Sequence, residues 1–314
     1  MTYSDTEHAA EAEADDPPYA HGSPVVPRVV DVDGIPLSAL VCEAPRPRAV
    51  IVALHGGGTT SMYFDCPGHP RLSLLRTGAA LGFTVVALDR PGYGASADYA
   101  AKVTDTARRV DLGHAAVEEL LAGRSRGAGV FLLAHSAGCE LAVRMASDER
   151  GRELLGLAIG GFGRELDAHA KQVLDRTDEE AGGDVRPARG RRAVLWGPSR
   201  LYAPDVYRGA AISSPSPPYE TEDRPWRTEY PELAARLRIP VHISLGDHET
   251  VWRSGPAALA EIASLFTASP RVSVNEQTES GHNLSLGLAA LAYHLKVLSF
   301  VEECAVRREQ GRTR

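Results

Sequence analysis

Cysteine is scarce in this 314-residue chain, and the four present, Cys42, Cys66, Cys139 and Cys304, are scattered with no C-x-x-C pair among them. With no histidine-rich spacing beside them either, a structural zinc site is not expected, and a reduced, cytoplasmic setting is the default. Lysine is scarcer: Lys102, Lys171 and Lys296 stand alone, so the cations are almost all arginine. No excess of positive charge exists; the formal net charge of −7 gives no electrostatic reason to expect nucleic acid or an anionic membrane surface as partner. No apolar run approaches the length of a membrane span. The first 27 residues carry neither a basic n-region nor an apolar h-region, so no secretory signal is expected. The sequon Asn283-Leu-Ser285 then carries no meaning. Internal repeats are absent as well.

What is present is an ordinary globular composition, 43% hydrophobic and 24% charged, in a chain long enough to bury a sizeable core. Residues 1–27 hold Asp5, Glu7, Glu11, Glu13, Asp15 and Asp16 but no Lys, and read as a disordered acidic leader. Val29–Val32 and Ile35–Glu43 flank Asp33-Gly34, the signature of a hairpin. The fully apolar run Ala49–Leu54 predicts a central parallel strand, and Thr84–Leu88, Val130–Ala134, Leu155–Ile159, Ile239–Leu245 and Arg271–Asn275 predict further strands. Helices are expected over Leu72–Leu81, Val110–Ala122, from Ala137 onward, over Pro256–Phe266 and over Leu284–Glu303. Strand, loop and helix alternate, which predicts a doubly wound, mostly parallel α/β sheet.

The rhythm breaks over residues 164–237, where one helical stretch, the arginines Arg186, Arg189, Arg191 and Arg192, and a proline-rich stretch (Ser213–Pro218) replace it. An interruption of that length predicts an inserted lid between the core segments 28–163 and 238–306. Its aromatics, Trp196, Tyr202, Tyr207, Tyr219, Trp226 and Tyr230, suit either an apolar substrate or the packing of the lid itself. Its arginines suit a solvated face better than recognition of a substrate carboxylate or phosphate.

One stretch organises the chain: Val130–Ala134, then His135-Ser136-Ala137, then a helix with Leu141, Ala142 and Met145 on one face. A serine on so sharp a strand-to-helix turn holds its hydroxyl above the sheet, with free N–H groups of the new helix aimed at it. A literal G-x-S-x-G occurs upstream at Gly123–Gly127, but it follows a helix and precedes the strand, so Ser125 is a loop residue. Alanine at 134 meets the requirement of the turn for a small side chain. Serine needs a base, and the base needs an acid to fix its tautomer. Asp247 and His282 each follow a strand, at the edge where an open α/β sheet places its site, in the order Ser, Asp, His. Glu249, two residues on, is the substitute acid. Among the remaining histidines His69, His114, His242, His248 and His294 fit no base position. Cys139 reads as a small packing residue.

Five pieces together, His55-Gly-Gly-Gly58, Asp89-Arg-Pro-Gly-Tyr-Gly-Ala-Ser96, Ala-His-Ser136-Ala-Gly, Gly246-Asp247 and Gly281-His282, resemble the α/β-hydrolase superfamily over roughly residues 28–305. The resemblance implies an eight-stranded, mostly parallel sheet with helices on both faces. It also implies an oxyanion hole from the N–H of Ala137 and of Gly57 or Gly58, and structural roles for His55 and Asp89. His135 before the serine, and the Asp-Arg-Pro-Gly-Tyr-Gly turn, point to the lidded branch that includes esterases and C–C hydrolases. Serine at 136 speaks against epoxide hydrolases and haloalkane dehalogenases, and Ala137 against perhydrolases. The expected activity is hydrolysis of a carboxylic ester, thioester or lactone of a small to medium molecule through an acyl-enzyme on Ser136. Catalysis then runs through Ser136, His282 and Asp247, with no metal and no cofactor. An acyltransferase, a C–C hydrolase or lyase, and a fold used only to bind a ligand are the alternatives.

Overall fold

The computed structural model describes residues 23–173, 189–220 and 226–312. Its centre is one eight-stranded sheet in the order β1-β2-β4-β3-β5-β6-β7-β8. The hairpin β1 (Val25–Val32) and β2 (Ile35–Cys42) runs antiparallel, and β2 joins β4 (Thr84–Leu88) antiparallel. From β4 onward the pairing is parallel, through β3 (Val50–Leu54), β5 (Val130–His135), β6 (Gly156–Gly160), β7 (Val241–Gly246) and β8 (Val272–Gln277).

The unbroken apolar runs follow from burial on both faces. In β3 the side chains of Val50, Val52 and Leu54 enter one core cluster while Ile51 and Ala53 enter the other. In β5, Val130, Leu132 and Ala134 alternate in the same way with Phe131 and Leu133. One face is covered by α2 (Thr106–Leu120) and α3 (Gly138–Ser147), the other by α1 (Leu74–Ala80) and α7 (Ala290–Arg312). Helix α6 (Pro256–Ala263) packs on β7 and β8. Register then does the positioning. Ala134 pairs with both Leu54 and Ile159, Gly160 with Ser244, and Gly246 with Gln277, so the C-terminal strand ends lie side by side.

Between β6 and β7 the alternation is interrupted. The described residues there include α4 (Arg189–Trp196) and α5 (Trp226–Arg236), the latter packed on α3. Several boundaries differ from expectation. Strand β1 begins at Val25, inside the stretch assigned to the leader, of which residues 1–22 lie outside the described residues. Helix α2 begins earlier, at Thr106, because the Asp105 side chain caps it by accepting the Arg108 N–H. Helix α7 begins later, at Ala290, because residues 284–289 form turns tied to neighbouring loops, with the Leu288 N–H donating to the Leu201 carbonyl. Its end reaches Arg312, and Arg308 anchors it by donating to the carbonyls of Glu153 and Leu154. No helix among the described residues is long and apolar enough to cross a membrane.

Candidate active site

Ser136 sits between β5 and α3 with φ of +49°, in the left-handed region that a non-glycine residue adopts only under constraint. The constraint is visible on both sides. Its N–H donates to the Gly160 carbonyl at 2.9 Å, and its own carbonyl accepts the Cys139 N–H at 2.9 Å, starting the helix. Gly138 allows the turn to be this tight, since a Cβ there would lie 2.5 Å from the carbonyl oxygens of Leu54 and His55. Ala134, in the place of the first glycine of the usual motif, is fully buried in β5.

The loop after β8 brings His282 to the serine, with Nε2 at 3.0 Å from Ser136 Oγ. The acid behind the histidine is a correction to the sequence reading. Glu249, not Asp247, faces His282: both carboxylate oxygens lie 3.1 Å from Nδ1, in a pair whose side chains are 2% and 0% exposed. Asp247 is turned to another task. It accepts the N–H groups of Glu279 (2.9 Å) and Ser280 (3.0 Å), closing the turn that leads to His282. Burial opposes its ionisation, but these two N–H donors outweigh it and hold the carboxyl below the ordinary aspartate range. The geometry has a simple cause. Asp247 follows β7 directly and keeps its direction, whereas the Glu249 N–H bonds back to the Gly246 carbonyl, and that turn swings residue 249 across to the histidine. Val251 N–H fixes the carboxylate by donating to Oε1 at 2.8 Å. A signal existed in the sequence: Glu249 precedes the apolar pair Val251-Trp252, and a carboxylate drawn into a buried segment needs a partner.

The glycine loop also refines expectation. Gly58 is spent elsewhere, its N–H donating to Tyr93 Oη at 3.0 Å, and so drops out as an oxyanion donor. The N–H groups of Gly57 and Ala137 have no acceptor among the described residues, and a Cβ on Gly57 would come 3.6 Å from that of Ala137. His55 is buried and spans the loop: Nε2 accepts the Arg90 N–H at 3.1 Å while Nδ1 lies 2.8 Å from the Gly56 carbonyl. Burial, aided by the Arg90 charge, holds it neutral. Asp89 ties three segments together, accepting from Ser38 Oγ and from the Ser61 N–H, each at 2.6 Å.

The neighbour of the serine, His135, is buried, stacks on Tyr63 at 4.5 Å and lies 5.0 Å from the His282 ring. Burial, and secondarily the nearby His282, push its pKa well below the histidine range, so it offers no rival base. Cys139 is buried, which pushes its thiol up and leaves it inert. Of the arginine cluster, Arg186 lies outside the described residues and Arg192 is exposed. The aromatics of the insertion form packing clusters. Trp196, Tyr202 and Tyr207 make one, while Trp226 and Tyr230 join Phe162 and Trp252 in another. Tyr219 is buried and donates to the Pro91 carbonyl at 2.6 Å. Among the described residues no group of three or more His, Cys, Asp or Glu is disposed to hold a metal ion.

A nucleophile elbow at the C-terminal edge of a mostly parallel, eight-stranded sheet, with a histidine and a carboxylate delivered by the last two strand loops, defines the α/β-hydrolase fold. The profile of the alpha/beta hydrolase family matches residues 51–290, and the chain belongs to that family. No curated protein sequence matches it. Among solved structures it is similar to a carboxyl esterase from Bacillus coagulans, at 15% identity and a TM-score of 0.60 over 90% of this chain and 100% of that one. A monoacylglycerol lipase from Paleococcus ferrophilus superposes with a TM-score of 0.59 at 17% identity, covering 85% of this chain and 99% of the other. An N-acyl homoserine lactonase gives 0.59 at 15% identity, with coverages of 89% and 98%.

Proposed function

We propose that the protein is a serine hydrolase that cleaves a carboxylic ester, thioester or lactone of a small to medium organic molecule. The single observation that carries this reading is the relay Glu249–His282–Ser136, with spacings of 3.1 and 3.0 Å. Against a carboxylate, Nδ1 is the protonated nitrogen, which leaves the Nε2 lone pair to accept the serine proton. Ser136 Oγ attacks the carbonyl as His282 takes that proton. The tetrahedral oxyanion is held by the N–H groups of Gly57 and Ala137, each worth about 3 kcal/mol of barrier in sites of this kind. The protonated His282 then gives its proton to the leaving alcohol, thiol or lactone oxygen. Water, deprotonated by the same nitrogen, releases the acid from Ser136.

The insertion serves in this reading as a lid, supported by its bonds to the loops beneath it: Ser214 N–H donates to the Gly58 carbonyl, and Asn283 Nδ2 donates to the Leu195 carbonyl. Four buried free thiols and the net charge of −7 fit a cytoplasmic enzyme acting on a small molecule, without a nucleic-acid or membrane partner. The related structures named as esterase, lipase and lactonase bound the substrate class to test. A fluorophosphonate is expected to label the intact protein and to fail on Ser136→Ala, which also loses turnover across a panel of esters, thioesters and lactones. Equal labelling or turnover in that variant would falsify the assignment.

A further inference from the structure

We infer that Arg90, held in place by Glu220 of the insertion, is a positioning residue that aims the Gly57 N–H at the substrate oxygen. The inference rests on the serine-hydrolase reading and deepens it. Its basis is the planarity of the peptide bond: the Gly57 N–H and the Gly56 carbonyl belong to one rigid unit and point in opposite directions. Whatever fixes the Gly56 oxygen therefore fixes the direction of the Gly57 proton. Three donors converge on that oxygen, Arg90 Nη2 at 3.0 Å, Thr59 Oγ1 at 3.1 Å and His55 Nδ1 at 2.8 Å. Only the arginine is charged, so it also draws electron density from the peptide and strengthens Gly57 as a donor.

The next peptide is fixed from the same network. Tyr93 Oη accepts the Gly58 N–H at 3.0 Å and donates to Glu220 Oε2 at 2.7 Å, while Glu220 Oε1 lies 2.5 Å from Arg90 Nη2. The Arg90 and Glu220 side chains are 4% and 5% exposed, and the guanidinium lies 4.8 Å over the Tyr93 ring. Glu220 rests against the loop itself, since a Cβ on Gly57 would lie 2.8 Å from its Oε2. A lone carboxylate in that place would repel the developing oxyanion. Paired with Arg90 it instead becomes a neutral brace, and the insertion acquires a direct part in shaping the oxyanion hole.

The test is a double variant, Arg90→Met with Glu220→Met, which removes both charges together and spares the fold an unpaired buried ion. The expected result is a folded protein with KM within about threefold of wild type and kcat lowered about 10- to 100-fold. Affinity for a trifluoromethyl ketone, whose adduct on Ser136 carries an oxyanion, is expected to fall by the same factor, and the pH profile of turnover to keep its shape. Tyr93→Phe, which preserves packing, is the second variant and is expected to show the same split at smaller size. Turnover and inhibitor affinity within twofold of wild type in either folded variant overturn the inference while leaving the hydrolase reading intact. Wild-type protein that neither labels with fluorophosphonate nor turns over any ester overturns that reading, and the inference with it.

Discussion

Replacing Glu249 with glutamine is the sharpest perturbation available, because it changes one atom in a pair that water does not reach. The Val251 N–H donates to Glu249 Oε1 at 2.8 Å, so the oxygen of a glutamine is drawn to that donor and its NH2 group is left against His282 Nδ1. A donor there forces Nδ1 to accept, which moves the ring proton to Nε2, the nitrogen 3.0 Å from Ser136 Oγ. The base is then occupied. Amide replacement of the acid in a site of this design costs up to about 10⁴ in kcat, or about 5 kcal/mol of barrier. We expect Glu249→Gln to lower kcat by about 10³ to 10⁴ with KM little changed.

Asp247→Asn is the paired control, because the sequence nominates that residue and the structure gives it a different task. An asparagine keeps one acceptor for the N–H groups of Glu279 and Ser280 and loses the other. That costs about 1 kcal/mol of stability, and we expect kcat to stay within about fivefold of wild type because nothing on the His282 ring changes. Steady-state kinetics on an activated ester, with ¹⁵N chemical shifts of the His282 ring to read the tautomer, separate the two variants. A large loss in Asp247→Asn combined with near-normal Glu249→Gln would refute the assignment of the acid.

Two further predictions concern Gly57 and two buried histidines. Gly57→Ala brings a Cβ to 2.8 Å from Glu220 Oε2, so either the loop or the Glu220 carboxylate that braces it must shift, and kcat is expected to fall about 10²-fold with little change in KM, measured on the same ester. Burial holds His242 down at about 4 and His294 at about 3, against the ordinary 6.5 of an unfolded chain. Each group therefore contributes stability that is full above about pH 6.5 and is lost as the pH falls, amounting to about 2 kcal/mol per histidine by pH 5. Neither ring nitrogen of His294 has a partner among the described residues, so His294→Leu is expected to flatten the pH dependence of urea unfolding without lowering stability at pH 7. An unchanged slope between pH 7 and pH 5 in that variant would count against the buried, neutral histidine.

Most of the sheet was readable because its signals are local. Runs such as Val50–Leu54 and Val130–Ala134 are buried on both faces and so are apolar throughout, and the turn at Ser136 is declared by what stands on either side of it. The placement of His282 beside Ser136 was readable for the same reason, as the first histidine after the last strand. The acid was harder. Asp247 and Glu249 differ by two residues, and the choice depends on a single backbone bond, Glu249 N–H to the Gly246 carbonyl, that no side-chain pattern records. Between the two glycines the resemblance favours Gly57, with Gly58 as the alternative, and what separates them is a bond no local pattern records, from the Gly58 N–H to Tyr93 Oη. The Arg90–Glu220 pair could not be read at all. Arg90 stood in plain view inside a motif, but its partner lies 130 positions away in an insertion whose composition resembles a solvated loop.

That insertion does more than its position implies. Strand ends give catalytic loops a common edge, but a loop anchored only at its root is free to pivot. Three of the loops here have an additional anchor in the inserted segment. The Gly58 carbonyl accepts the Ser214 N–H, Asn283 beside His282 donates to the Leu195 carbonyl at 2.8 Å, and Thr250 beside Glu249 donates to the Val194 carbonyl at 2.5 Å. Two of these anchors are consecutive carbonyls near the end of α4, groups a helix leaves without internal partners. The loops carrying Glu249 and His282 thus satisfy the helix end, and the helix end fixes the spacing between them. Bonding needs on both sides are met by one arrangement. Substitutions in this segment should therefore change the alignment of Glu249, His282 and Gly57 as well as access to Ser136, and a variant that merely opened the site would be hard to obtain there.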